Sequence, residues 1–173
     1  MIIFLDFDDT LFNTAVFKKH LEEKGVLNDK EGALSFAEKE DLSLFLFEDT
    51  TDFLKNYLRE RLILITFGDR TFQRTKVVSS KINLYFEEMI FTGDSMKSVF
   101  LKEWFEKNKS KSNEKAFFLD DRIDWLHEAK EASPNLVPVR IRRGNAQHSS
   151  EENLYGYSEV RDLKEFAQLL SSF

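Results

Sequence analysis

The chain contains no cysteine, no long apolar run and no excess of basic residues, and each absence removes a class of function. Without cysteine there is neither a disulfide framework nor a thiolate zinc site. No apolar stretch approaches the roughly 20 residues that cross a bilayer. The chain enters a strand pattern at residue 2 with no basic leader ahead of it, so no signal peptide is expected and a cytoplasmic location is. Twenty-five basic residues against 31 acidic ones leave a net charge of −6, which argues against nucleic acid or an anionic membrane as a partner. His20, His127 and His148 stand far apart without metal-ligand spacing and are expected in surface or core roles.

What is present suits one domain with a small insertion: 173 residues, 42% of them apolar, including 18 phenylalanines that we read as core filling. Two aspartate clusters carry the most information. The apolar run Ile2–Leu5 ends at Asp6 and Asp8, and the run Ala116–Leu119 ends at Asp120 and Asp121. A short continuous apolar run reads as a strand buried on both faces of a parallel sheet. In open α/β sheets, chemistry gathers at the carboxyl ends of such strands. Carboxylates converging there would repel one another unless a hard cation lies between them, and oxygen ligands favour Mg²⁺.

Five strand-like runs, Ile2–Asp6, Leu62–Thr66, Glu88–Phe91, Ala116–Asp120 and Leu136–Ile141, alternate with helix-like stretches, which predicts right-handed crossovers and a parallel sheet. Pro138 interrupts the fifth run, which places that strand at an edge. Ser158–Leu170 carries helical periodicity with Ser158 as its cap. Residues Arg142–Tyr157 read as a long exposed loop, with Arg140, Arg142 and Arg143 on an exposed strand end and loop. Between Leu11 and Glu60 the pattern breaks into three helical segments, Thr14–Lys24, Lys30–Phe47 and Thr50–Glu60. The third suits packing on the sheet, while the first two read as a small helical cap. The expected division is therefore a core of residues 1–10 and 51–173 with a cap of 11–50.

Residue types then suggest chemistry. Asp6 and Asp8, one residue apart, direct their carboxylates to the same side. One of them, ionised beside Mg²⁺, can attack phosphorus, while the other protonates a leaving oxygen and then deprotonates water. Asp9 reads as a local turn residue. Thr66 ends the strand LILIT, and its hydroxyl, with backbone N–H groups from Phe67 onward, can donate to a phosphate oxygen. Lys97 opens a helix before the Asp120 strand and is the candidate to neutralise a phosphoryl group, ahead of Lys102 and Lys76. Trp104 and Trp125 fit helical patterns and read as packing.

In order, strand context and residue type these segments resemble the haloacid dehalogenase superfamily of phosphohydrolases. The likeness rests on DxDxT at Asp6, Asp8 and Thr10, the strand ending at Thr66, Lys97, and the apolar run ending at Asp120 and Asp121. It covers essentially the whole chain, and the first and last motifs are the specific ones. The resemblance implies a Rossmann-like sheet of order 5-4-1-2-3 and Mg²⁺-dependent hydrolysis of a small phosphate monoester through an aspartyl-phosphate. It further implies Asp6 as nucleophile, Asp8 as acid and base, and Thr66 and Lys97 as phosphate ligands. The cation would be held by Asp6, the Asp8 carbonyl and one of the last pair, Asp121 directly with Asp120 behind it. Dehalogenation is disfavoured, because in that superfamily an acid/base at the position of Asp8 marks phosphoryl transfer. A signalling receiver domain, which also joins acidic residues, Thr and Lys on a parallel sheet, would accept phosphate on an aspartate after the third strand. Here that strand ends in Thr92-Gly93, and a receiver has no place for the insertion. A phosphate- or partner-binding module without catalysis is the remaining alternative.

Overall fold

The computed structural model describes residues 1–108, 114–144 and 146–173. One parallel sheet organises them. Its strands, β1 (Ile2–Leu5), β2 (Arg61–Thr66), β3 (Glu88–Phe91), β4 (Ala116–Asp120), β5 (Leu136–Ile141) and β6 (Ser158–Val160), lie in the order β3-β2-β1-β4-β5-β6. The expected order of five is present, with a sixth strand added at one edge. The chain's second aspartate cluster is brought beside the first by register: Leu5 pairs with Leu119 on one side and with Leu64 on the other. Asp6 consequently emerges from the sheet next to Asp120, and its N–H donates to the Leu119 carbonyl at 3.0 Å.

The central stretches Ile2–Leu5, Leu62–Ile65 and Ala116–Leu119 are apolar because both faces are covered, and their two-residue period sorts the side chains. Ile2, Phe4, Ile63, Ile65 and Phe118 point to a face covered by α5 (Lys97–Lys107) and α6 (Ile123–Ala132). Phe4 meets Trp104 edge-on at 5.1 Å there. Ile3, Leu5, Leu64, Phe117 and Leu119 point to the other face. That second face shares one continuous cluster with Phe17 and Leu21 of α1 (Thr14–Glu23), Ala33 and Ala37 of α2 (Lys30–Lys39) and Phe53 of α3 (Thr50–Asn56). Val77 of α4 (Arg70–Ser79) and Phe166 of α7 (Leu163–Ser171) complete it.

Four expectations need correction. The helix expected over 30–47 ends at Lys39, and a 3₁₀ turn follows at Leu42–Phe45, where Asp41 accepts from the Ser43 N–H at 3.1 Å. Ser158 begins a strand instead of capping a helix. The helix starts at Leu163 under Asp162, whose side chain accepts from Glu165 N–H. β5 is not an edge strand, since β6 pairs with it, but that pairing begins at Val139, one residue past Pro138. The missing N–H of Pro138 therefore falls where β5 has no β6 partner, so the physical requirement holds while the inferred position does not.

The fourth concerns the loop over 142–157, in which residue 145 lies outside the described residues. It is not merely solvated, because Arg140 and Arg143 are buried. Arg140 donates to the carbonyls of His148 at 2.7 Å and Glu151 at 2.8 Å, partners that a helix or strand would otherwise supply. Arg143 forms a two-pronged pair with Asp49, at 2.8 and 2.9 Å, and also donates to the Thr10 carbonyl. Arg142 is exposed, as expected, and is tied to the Ser149 carbonyl.

Candidate active site

Directly after β1 the backbone turns at Asp9, which adopts a left-handed φ of 56°, a conformation that aspartate tolerates better than most residues. Asp9 accepts from the Thr14 N–H at 3.2 Å, in keeping with its expected turn role, and the turn leaves Asp6 and Asp8 at the mouth of the sheet. From β4 come Asp120 and Asp121. Carboxylate oxygens of Asp6, Asp120 and Asp121 all lie within 4.8 Å of one another, and all three residues are buried.

Among the described residues a single ammonium lies against this cluster. Lys97, 4% exposed at the first position of α5, reaches back to a short contact with Asp6 and donates to Asp120 at 2.7 Å. Burial works against its charge, but Asp120 and Asp6 outweigh this and raise its pKa. The carboxylates show the imbalance. Desolvation, with Asp120 nearby, pushes Asp6 up to about 7 despite Lys97. Desolvation together with Asp120 and Asp6 pushes Asp121 up to about 9. Asp120 has both oxygens engaged, one by Lys97 and one by the Arg122 N–H at 2.9 Å. Among the described residues no hydrogen bond reaches the Asp121 carboxylate, so its oxygens are available to a ligand.

A surplus of buried, mutually repelling oxygen donors suits a hard divalent cation and does not suit a soft one. These residues therefore fit the ion that the sequence motif implies.

Asp8 lies in different surroundings. Thr14 donates to it at 2.7 Å, Lys76 at 2.5 Å and Gln73 at 2.8 Å. Desolvation opposes its charge, yet Lys76 and these hydrogen bonds prevail and lower its pKa. Lys76 itself is 3% exposed, with its ammonium 5.0 and 5.1 Å from the rings of Phe12 and Phe7. Sequence reasoning ranked Lys76 only as a runner-up for the phosphate and passed over Gln73. The signal was legible: both stand on the α4 stripe that carries Phe72 and Val77 inward. A lysine and a glutamine on the buried stripe of a short helix need a partner inside.

Thr66 is 1% exposed, and its hydroxyl is one of few buried polar atoms without a protein partner among the described residues. It lines the same cavity as Asp6 and Lys97, so an acceptor belonging to a ligand can satisfy it. Phe67, 39% exposed, also lines that cavity, and Gln73 donates to its carbonyl at 2.9 Å. Lys102 is exposed on α5 and is not among the cavity residues. Trp125, read as packing, faces the cavity instead: its ring lies 4.9 Å from the Lys97 ammonium and meets Phe67 edge-on at 4.9 Å. The cavity holds about 850 Å³, with Thr14, Phe17 and Leu21 of α1 and Ala33 and Leu34 of α2 on its boundary. His148 reaches it, but no histidine joins the acidic cluster among the described residues.

No protein-family model matches the sequence, and no curated protein matches it either. Solved structures do match. A Burkholderia xenovorans LB400 protein named as a haloacid dehalogenase-like hydrolase is 16% identical, with a TM-score of 0.73 over 99% of this chain and 97% of that one. The Bacillus subtilis HAD-hydrolase YfnB, solved bound to magnesium, is 14% identical, with a TM-score of 0.70 over 98% and 97%. The Xanthobacter autotrophicus L-2-haloacid dehalogenase, solved with chloropropionic acid covalently bound, is 11% identical, with a TM-score of 0.70 over the full length of both chains. Among the described residues no helix is long and apolar enough to cross a membrane. With its sheet order, its insertion after β1 and this likeness along its whole length, the chain has the fold of the haloacid dehalogenase-like hydrolases.

Proposed function

We propose that the protein hydrolyses phosphate monoesters with Mg²⁺, by phosphoryl transfer to Asp6. The observation that carries this reading is the meeting, in one cavity, of Asp6 with the carboxylates of Asp120 and Asp121, of Lys97, and of a Thr66 hydroxyl without a partner among the described residues. Asp6, Asp121 and the Asp8 carbonyl would hold the cation, with Asp120 oriented behind them by Lys97 and Arg122. Bound there, Mg²⁺ would offset the charge of the carboxylates and of the phosphoryl oxygens and keep Asp6 ionised.

The residues then divide the work. Lys97 and Thr66 orient and neutralise the phosphoryl oxygens, helped by the backbone from Phe67 onward. An Asp6 carboxylate oxygen attacks phosphorus, the ester P–O bond breaks, and the leaving alkoxide takes a proton from Asp8. Asp8 carries that proton in the bound state, where the phosphoryl charge beside it raises its proton affinity, and the attacking water returns it. Water then attacks the aspartyl-phosphate, giving its proton to Asp8, and phosphate leaves with Asp6 restored. Residues 11–50 act as the cap that selects the ester.

Carbon–halogen cleavage on the same fold would need Asp6 but no acid, because a halide leaves without a proton. The three donors arranged around Asp8 would then have no task. The test is phosphate release from 4-nitrophenyl phosphate with Mg²⁺ and with chelator, beside halide release from 2-chloropropionate. Metal-dependent phosphate release alone is expected. Halide release, or binding of phosphate without turnover of any ester, would overturn the reading.

A further inference from the structure

We infer that the alcohol half of the substrate is apolar, an aryl or arylalkyl group held against Phe67 and Trp125, an inference that rests on the phosphate-ester reading. The cavity's 850 Å³ lies in the range that holds a whole organic ligand, roughly 300–1,000 Å³. A phosphoryl group at Asp6 and Lys97 fills only the floor. The exposed surface of the cavity as a whole is mainly apolar. The Trp125 ring lies 4.9 Å from the Lys97 ammonium and meets the Phe67 ring edge-on, so the pair walls the cavity beside Lys97. Phe67 remains 39% exposed in a concave site, and so does Leu27, which lines the same cavity as Leu34 of α2. Large apolar side chains left open inside a cavity mark contact with an apolar ligand.

The polar side chains closest to the floor are already committed. Thr14, Gln73 and Lys76 donate to Asp8, and Thr10 donates to Asp6 at 3.3 Å. Of the remaining charged groups on the boundary, Lys18, Lys30 and Glu31 are exposed, while Arg122 is paired with Asp124 and lies 4.9 Å over the Trp125 ring. A sugar or polyol entering the apolar part would lose water from its hydroxyls without regaining partners, on the order of tenfold in affinity for each stranded hydroxyl. An aromatic group there would instead release water from carbon surface and stack on existing rings.

The experiment compares the full chain with Mg²⁺ on 2-phenylethyl phosphate and on glycerol 1-phosphate, two primary-alcohol esters of similar leaving-group basicity. The expected kcat/KM ratio is about 30-fold or more in favour of the phenylethyl ester. Trp125→Ala and Leu34→Asn should each shrink that ratio at least about threefold. A ratio of rates on one preparation is independent of how much of it is folded. Calorimetry with 2-phenylethylphosphonate against methylphosphonate repeats the comparison without turnover and should show the same preference. Turnover of both esters at similar rates, or faster turnover of the glycerol ester, would overturn the inference and leave the hydrolase reading intact. Failure to turn over either ester while the phosphonate preference persists would overturn the hydrolase reading alone. Loss of both turnover and preference would remove both.

Discussion

Two buried ionic clusters meet the turn after β1, one through Asp6 and the other through the Thr10 carbonyl, and they are built on opposite principles. Around Asp49 the charges balance: Arg143 meets both carboxylate oxygens, and the Leu163 N–H supplies a further donor at 2.8 Å. The guanidinium spends its other donors on the Thr10 carbonyl and rests 4.1 Å over Phe47. Around Asp6 the charges do not balance. Among the described residues three carboxylates lie around one ammonium, which bonds Asp6 and Asp120, while Asp121 has no donor and Thr66 no acceptor. A satisfied buried pair holds elements together, here the turn after β1, the end of the insertion and the start of α7. An unsatisfied one stores a demand for a ligand. Composition alone does not separate the two, since each is aspartate opposite a basic residue. The difference lies in how many partners each oxygen has.

The strongest way to break this comparison is Asp6→Asn. If the unbalanced cluster is catalytic, the amide removes the nucleophile and the rate on a phosphate ester falls about 10⁴-fold or more. The metal-free melting temperature stays level or rises, because one repelling charge is gone. Activity within tenfold of the original chain would take the nucleophile's role from Asp6.

Arg143→Ala tests the balanced cluster and should act on stability. It strands Asp49 in the interior and removes the donors to the Thr10 carbonyl, a loss of about 3–5 kcal/mol in denaturant unfolding. A loss below about 1 kcal/mol would mean that the pair is not structural.

Asp121→Asn separates the ligand roles of neighbouring aspartates. The Mg²⁺ concentration for half-maximal rate should rise roughly 10- to 100-fold, since an anionic oxygen with no other partner is lost. An unchanged requirement would move direct ligation to Asp120.

The smallest effect concerns pH. Folding raises the pKa of Asp6 to about 7 and of Asp121 to about 9, above the ordinary carboxylate value of 3.8. Between that value and those, the folded chain binds more protons than the unfolded one, so stability is fully present near pH 4 and falls as pH rises toward 9. The lowered pKa of Asp8 works in the opposite direction but only below 3.8, outside this window. Without metal, the melting temperature should drop by several degrees, on the order of 5 °C, between pH 5 and pH 8.5, and Mg²⁺ should flatten the slope. A metal-free melting temperature that rises over that range would show that these carboxylates are not raised.

Much of this was legible before any coordinates. Residues 2–5, 62–65 and 116–119 are apolar because the centre of a parallel sheet covered on both faces leaves no polar position. That local fact sufficed to find the strands and to locate their acidic ends. Periodicity misled where two signals overlapped. Leu163, Phe166 and Leu170 continue a helical stripe, so the short strand at 158–160 was absorbed into it, and Asp162 was not recognised as the cap. Phe45 and Leu46 extended the stripe of α2, although Glu40 already has an extended backbone.

The sequence by itself determined that aspartates would stand at the carboxyl ends of strands, because strand apolarity and the one-residue spacing of Asp6 and Asp8 are local properties. Only the tertiary structure decided which charged residues meet. Lys97 crosses 91 positions to reach Asp6, Lys76 crosses 68 to reach Asp8, and Arg143 crosses 94 to reach Asp49. A lysine's partner depends on the packing of the helix that carries it, and a buried charge is recognised only once the volume around it is known. For that reason Trp125 and Arg143, indistinguishable from packing and loop residues in the chain, become a cavity wall and a structural tie in the fold.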